Sequence, residues 1–386
     1  MNHQKILIIA FLLAYILSGC KTNHIEYDAT DVSDLSLSQN DFQEPISENF
    51  KFIVYGHGYG SGLDPDEYPS VNLRDNLDHL LSMKPAFFIS LGDMVEESNE
   101  QQFDDLDQLL ISRIDVPVFN AVGNHDIKDR ALYSSRYGET FYSFHYANAI
   151  IFILDTEIED YFIQNDQLNM LENGIASALA DKSIDTIYIM MHKVLYMNYY
   201  LMDHNDSNMV RMNDLEKFQG TNFDIIVDQL LVPAARKKPI HIFAGDVGAF
   251  NGNLSPYYEK DRRANLYMYA SGLGDVEDDV VLIVSNDGKN VSIQPYLLTR
   301  RETLKIEDYD QDYWVYYGID RFEKIRPMMD QAFACAIDTC RFAKENLHMQ
   351  CRYFMILIVG IIAGVIMVLF YGIRSHQRKR KIENKQ

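Results

Sequence analysis

Between residues 50 and 300 the chain carries nine short, mostly apolar runs separated by amphipathic stretches, and this alternation constrains its fold more than any other feature. The runs lie at 51–55, 86–91, 117–122, 149–154, 186–191, 239–244, 265–270, 280–285 and 291–296. Each is shorter than a typical helix and apolar on both sides of a two-residue repeat, which is the pattern of a strand buried on both faces. Residues 71–83, 102–113, 164–180 and 223–236 carry helical periodicity instead. Together they predict one α/β domain over residues 49–300. Residues 193–222 form a long polar stretch rich in Asn, Asp, Met and Tyr, a length that in a compact domain marks a functional or mobile loop.

The two ends set the expected compartment. Residues 1–20 combine Lys5, an apolar run at 6–17 and the sequence Leu17-Ser18-Gly19-Cys20, as in a signal peptide whose small residues precede a cysteine. This resembles the lipobox of bacterial lipoproteins, which implies lipidation of Cys20 and cleavage before it. An uncleaved signal anchor is the other reading. Residues 353–373 contain no charged side chain, and as a helix would reach about 31 Å, the thickness of a bilayer's hydrocarbon core. Arg374, Arg378, Lys379, Arg380, Lys381 and Lys385 follow it, so the positive-inside rule places the tail 374–386 in the cytoplasm and the main domain on the other side. The expected location is a bacterial cytoplasmic membrane with the domain on its periplasmic or extracellular face. Residues 21–48 carry seven Asp/Glu against Lys21 and read as a solvated acidic tether, and residues 301–352 read as a juxtamembrane connector. In that connector Cys335 and Cys340 stand five residues apart; the compartment permits a disulfide, whereas a regular helix would point them to different faces.

The net charge is −21, and residues 1–373 alone carry −26 because the last thirteen residues contribute +5. Such a body repels nucleic acid, so no nucleic-acid partner is expected.

The runs end in residues of metal-ligand type. In chain order these are Tyr55-Gly56-His57, Gly92-Asp93, Gly123-Asn124-His125-Asp126, His192 and Gly245-Asp246-Val247-Gly248. Any one of them alone reads as a turn or a hydrogen-bonded histidine. Their order is more informative, because loops at the carboxyl ends of parallel strands converge on one edge of a sheet.

The series resembles the five motifs of calcineurin-like metallophosphoesterases: Asp-x-His, Gly-Asp, Gly-Asn-His-Asp/Glu, His and Gly-His-x-His. The stretches Gly138-Glu139-Thr140-Phe141-Tyr142-Ser143-Phe144 and Phe152-Ile153-Leu154-Asp155-Thr156 resemble the same family, and the likeness covers roughly residues 50–298. It implies a four-layer αββα sandwich, to which the C-terminal transmembrane helix is appended, and a two-metal phosphoester hydrolase. Carried over by motif, Asp93 is the bridging ligand, Asn124 the amide ligand and His192 the imidazole ligand, with His125 the transition-state histidine, oriented by Asp126.

Two motifs depart from the family. Tyr55 replaces the first Asp, and Asp246 and Gly248 replace the two final His. Sorted by metal, Tyr55 and Gly248 both fall in one site, which keeps only His57 and the shared Asp93. The other keeps Asp93, Asn124 and His192, with Asp246 standing in for imidazole. One ion is therefore expected rather than two, and a set of two carboxylates, an amide and an imidazole favours Mn, Mg or Fe(II) over Zn. Tyr55 is either a phenolate ligand or a neutral hydrogen-bonding or packing residue.

The leading reading is an extracytoplasmic, metal-dependent hydrolase of a phosphomonoester or phosphodiester, its substrate a lipid-linked or cell-envelope phosphate by proximity to the membrane. The competing reading is a degenerate domain that binds such a phosphate, or a membrane partner, without turnover. The loop 193–222 enters either as a cap, with Tyr196, Tyr199, Tyr200 and His204 toward the metal, or as an ordinary exposed loop.

Overall fold

A computed structural model of the chain describes residues 26–27, 35–38, 49–60, 68–196, 221–247, 255–288 and 290–313. The strands in chain order are β1 Glu26–Tyr27, β2 Asn49–Tyr55, β3 Phe87–Ser90, β4 Val118–Asn120, β5 Tyr142–Tyr146, β6 Ala149–Ile153, β7 Thr186–Met191, β8 Ile240–Ala244, β9 Tyr257–Lys260, β10 Leu266–Ala270, β11 Val280–Asp287, β12 Val291–Leu297 and β13 Glu302–Thr303. The main helices are α1 Val71–Ser82, α2 Glu100–Leu109, α3 Arg130–Tyr137 and α4 Asn165–Ala180. Over 223–235, α5 Phe223–Ile226 and α6 Val232–Ala235 flank a π-helical stretch, Val227–Leu231.

The strands form two mixed sheets, one in the order β1-β5-β6-β7-β8-β10-β9 and the other in the order β13-β12-β11-β2-β3-β4. Strand alternation then makes three cores. In β2, Phe52 and Val54 face the other sheet and join Phe87, Phe144, Ile151 and Tyr188, while Ile53 and Tyr55 face outward among Leu73 and Leu77 of α1 and Phe103 and Leu106 of α2. In β7 the same period sends Tyr188 and Met190 between the sheets, and Ile187, Ile189 and Met191 toward Leu171 and Ile175 of α4 and Val227 of the π-helical stretch. The layers are therefore helix, sheet, sheet and helix, the αββα arrangement that the motif resemblance implies. With apolar side chains on both faces, each central strand buries an uninterrupted run, which is why its sequence lacks polar alternation.

Within the sheets β2, β3 and β4 run parallel, as do β6, β7, β8 and β10. Their carboxyl ends carry His57, Asp93, Asn124, His192 and Asp246 to the same edge.

The segment 21–48 differs from a fully solvated tether. Glu26 and Tyr27 pair with Ser143 and Phe144 of β5, and Leu35 and Leu37 are buried. Val118 donates its N–H to Ser36 Oγ (2.9 Å), and Leu37 donates to the Val118 carbonyl (2.8 Å). Two leucines two residues apart are too short a pattern to stand out from an acidic background. The domain also runs past residue 300: Leu304 donates to the Pro295 carbonyl (2.8 Å), and Ile306 is buried. Among the described residues no helix is long and apolar enough to cross a membrane; 1–20, 353–373, 374–386, Cys335 and Cys340 lie outside them.

Candidate metal centre

Backbone geometry builds the centre first. His57 (φ +56°) and Asp93 (φ +56°) both lie in the left-handed region, and Gly92 before Asp93 has φ +90°. A Cβ on Gly92 would stand 2.6 Å from His192 Nδ1, and one on Gly123 would stand 2.2 Å from Asp93 Oδ1. Only glycine lets the Gly92 and Gly123 turns approach this closely. Gly245 and Asp246 each donate their N–H to the His192 carbonyl (2.9 and 2.8 Å), which fixes the β7 and β8 loops together.

Three side chains converge. His192 is fully buried and bonds the Leu91 carbonyl through Nδ1 (2.8 Å). That leaves Nε2 facing Asp93 Oδ2 at 3.4 Å and Asp246 Oδ1 at 3.6 Å, without a hydrogen bond of its own. One donor atom from each of Asp93, His192 and Asp246 lies within 4.8 Å of the others. An imidazole pinned at one nitrogen and open at the other, beside two carboxylates, has the donor chemistry and the outer support of a divalent-ion site, so these residues fit one ion. Burial works against a charged His192, but Asp93 and Asp246 outweigh it and raise its pKa to about 9; the same pull holds a cation. Burial likewise opposes charge on Asp93, and His192 and His57 outweigh it, holding that carboxyl below the usual range.

His57 sits at the rim of this cluster, its Nε2 3.8 Å from Asp93 Oδ2, and burial lowers its pKa below the ordinary imidazole value. Asn124 is at the site, but its Oδ1 accepts a hydrogen bond from Lys193 Nζ (2.5 Å). His125 donates its backbone N–H to Asp93 Oδ1 (3.0 Å), so the two oxygens of Asp93 face different partners. Its ring Nδ1 bonds the Glu96 carbonyl at 2.6 Å.

The orienting group of His125 is thus the Glu96 carbonyl and not Asp126. Asp126 is fully buried, and its carboxylate accepts N–H groups of Asp93 (2.9 Å), Met94 (2.7 Å) and Gly123 (2.9 Å). It ties the Gly92-Asp93 loop to the Gly123-Asn124 loop from below. A residue next to His125 in sequence points the other way because the turn over 123–126 reverses the chain, with Asp126 donating its N–H to the Gly123 carbonyl. Tyr55 also stays out of the cluster. Its ring packs among the α1 and α2 residues, and burial first, then Asp126, raises its pKa far above the ordinary phenol value, so it is neutral. Tyr196 is buried beside Tyr257 and donates its hydroxyl to the Tyr269 carbonyl (2.5 Å), away from a capping role; Tyr199, Tyr200, His204 and Gly248 lie outside the described residues.

Sequence reading missed two members of the site, Lys193 and Glu157. Lys193 Nζ donates to Asn124 Oδ1 and to Asp246 Oδ2 (2.8 Å), and stands 3.8 Å from Glu157 Oε1. Both residues adjoin motifs already noted: Lys193 follows His192, and Glu157 follows Asp155-Thr156. A lysine placed directly after a buried strand-end histidine was the available signal.

The family model for calcineurin-like phosphoesterases matches residues 68–276, beginning after His57. Among solved structures, the chain is similar to a dimetal phosphatase from Danio rerio (12% identity, 63% of this chain and 98% of that one, TM-score 0.42). It is also similar to a predicted phosphoesterase from Streptococcus pneumoniae (11% identity, 66% and 93%, TM-score 0.31) and to a cold-active protein-tyrosine phosphatase from a Shewanella species (12% identity, 66% and 80%, TM-score 0.25). No curated protein matches the chain.

Proposed function

The chain belongs to the calcineurin-like phosphoesterase family, and from that premise we propose that it is a membrane-anchored, extracytoplasmic phosphoesterase that works with one divalent ion. The observation that carries this reading is the cluster of Asp93, His192 and Asp246 with an open imidazole nitrogen at its centre, next to a histidine held for proton transfer. Asp93 Oδ2, His192 Nε2 and Asp246 Oδ1 would hold the ion, with His57 at the rim. When bound, such an ion supplies positive charge to a phosphoryl oxygen and lowers the pKa of water. The oxygen-rich donor set favours Mn, Mg or Fe(II) over Zn.

The chain's own residues divide the remaining work. With Nδ1 held on the Glu96 carbonyl, His125 leaves Nε2 as the ring nitrogen through which a proton would pass to a departing alkoxide or phenoxide. The His125 backbone N–H on Asp93 Oδ1 leaves Asp93 Oδ2 free to face the ion. The rest of the proposal comes from sequence: lipidation at Cys20, a span at 353–373 and a cytoplasmic tail hold the domain at the outer face of the cytoplasmic membrane, within reach of a lipid-linked or cell-envelope phosphate.

The test is Mn content and hydrolysis of aryl phosphomonoester and phosphodiester by the chain and by His125→Ala. The expected result is about one Mn per chain in both proteins, with kcat lower by roughly 10²- to 10⁴-fold in the variant. Bound Mn with no turnover above the variant on either ester would transfer the site to the non-hydrolytic binding role.

A further inference from the structure

The ammonium of Lys193 brings a second cationic group to the centre, beside Asp246. It is buried, with a side chain 9% exposed, and it reaches two oxygens at charge-assisted distances, Asn124 Oδ1 (2.5 Å) and Asp246 Oδ2 (2.8 Å). Glu157 Oε1 stands 3.8 Å away on another side. One of these oxygens belongs to the amide that the family resemblance assigns to a metal. Asp246 meanwhile divides its carboxylate, Oδ1 toward His192 and Oδ2 toward Lys193. A carboxylate shared in this way between two cation places is the arrangement of a two-cation site in which one cation is covalently attached to the protein.

The attachment is rigid. Lys193 donates its backbone N–H to Thr156 Oγ1 (3.3 Å), and Val194, Leu195 and Tyr196 behind it are buried. Asp246 and Glu157 both face the single ammonium of Lys193, at 2.8 and 3.8 Å.

We propose that Lys193 is the built-in second cation of this centre, its ammonium holding Asn124 Oδ1 and Asp246 Oδ2 in place of a second metal ion. The inference rests on the one-ion reading above and adds the group that makes one ion sufficient. With Tyr55 and Gly248 standing where the family has metal ligands, the centre would still present two positive charges to a phosphate, one from the ion and one from Lys193.

The test is Mn titration by calorimetry with elemental analysis on the full-length protein in detergent, for wild type, Lys193→Met, Lys193→Gln and Lys193→Arg. Wild type and Lys193→Arg bind one Mn. Removing the charge frees two oxygens and lifts the repulsion on the ion, so Lys193→Met takes up a second Mn and binds the first about tenfold more tightly or better. Lys193→Gln keeps an N–H donor for Asp246, so it serves as the neutral variant if Lys193→Met fails to fold, and it shows the same tightening. Unchanged Mn affinity and stoichiometry in a folded neutral variant would overturn the proposal, because an ion pair that merely supports the fold alters stability and not metal uptake. Two Mn in wild type, or none in any of the proteins, would overturn it as well. If these titrations behave as expected while wild type hydrolyses no phosphate ester, the role of Lys193 stands and only the proposed activity falls.

Discussion

At the level of single residues, the centre separates groups that hold a charge from groups that hold a loop. Asp93, His192 and Asp246 present open donor atoms, whereas Asp126 spends its carboxylate on the N–H groups of Asp93, Met94 and Gly123. Tyr55 illustrates the second class from the other side. Its hydroxyl is buried and makes no hydrogen bond among the described residues, and a buried hydroxyl without a partner costs stability. Tyr55→Phe should therefore raise the unfolding free energy by about 1 kcal/mol and leave metal content unchanged. Denaturant melts paired with elemental analysis measure both, and a loss of bound metal would restore the phenol as a ligand. Asp93, Asn124, His125 and His192 stood out as candidates through their joint order after apolar runs and the resemblance of that order to the family's motifs. The direction in which Asp126 and Tyr55 point was not, because it depends on how a turn and a strand face pack.

At the level of elements, the parallel strands deliver the site, and how legible each strand is in the sequence depends on how apolar it is. The largely buried strands β2, β3, β6, β7, β8 and β10 are visible as apolar runs. Strands β5 and β9 were not marked, since β5 mixes His145 and Ser143 with its aromatics and β9 ends in Glu259-Lys260 at the edge of its sheet. Helix α3 was missed because its short stretch buries only Tyr133. The acidic segment before β2 gives this scale its prediction. Replacing Leu35 and Leu37 together by Ala should cost at least about 2 kcal/mol in unfolding free energy, the lower end for truncating a buried leucine. An unchanged melting curve would return the whole segment 21–48 to the role of solvated tether.

For the whole molecule, the proposed anchoring rests on two independent attachments, and they make separate predictions. Cys20→Ala should leave the protein in the membrane fraction through residues 353–373, whereas Cys20→Ala in a chain ending at residue 352 should appear in the soluble extracytoplasmic fraction. Retention of that shortened variant would favour an uncleaved anchor at 1–20, and release by Cys20→Ala alone would sink the span at 353–373. The α/β class and the gathering of the ligand-bearing loops on one sheet edge could be read from the chain alone, because apolar period and turn residues are local and each motif follows its own strand; the order of the strands within the two sheets could not. Which groups meet was decided only by the packed structure. Lys193 reaches Asn124 across 69 positions and Asp246 across 53, and no local pattern records that a lysine, an amide and a carboxylate from three loops share one buried charge.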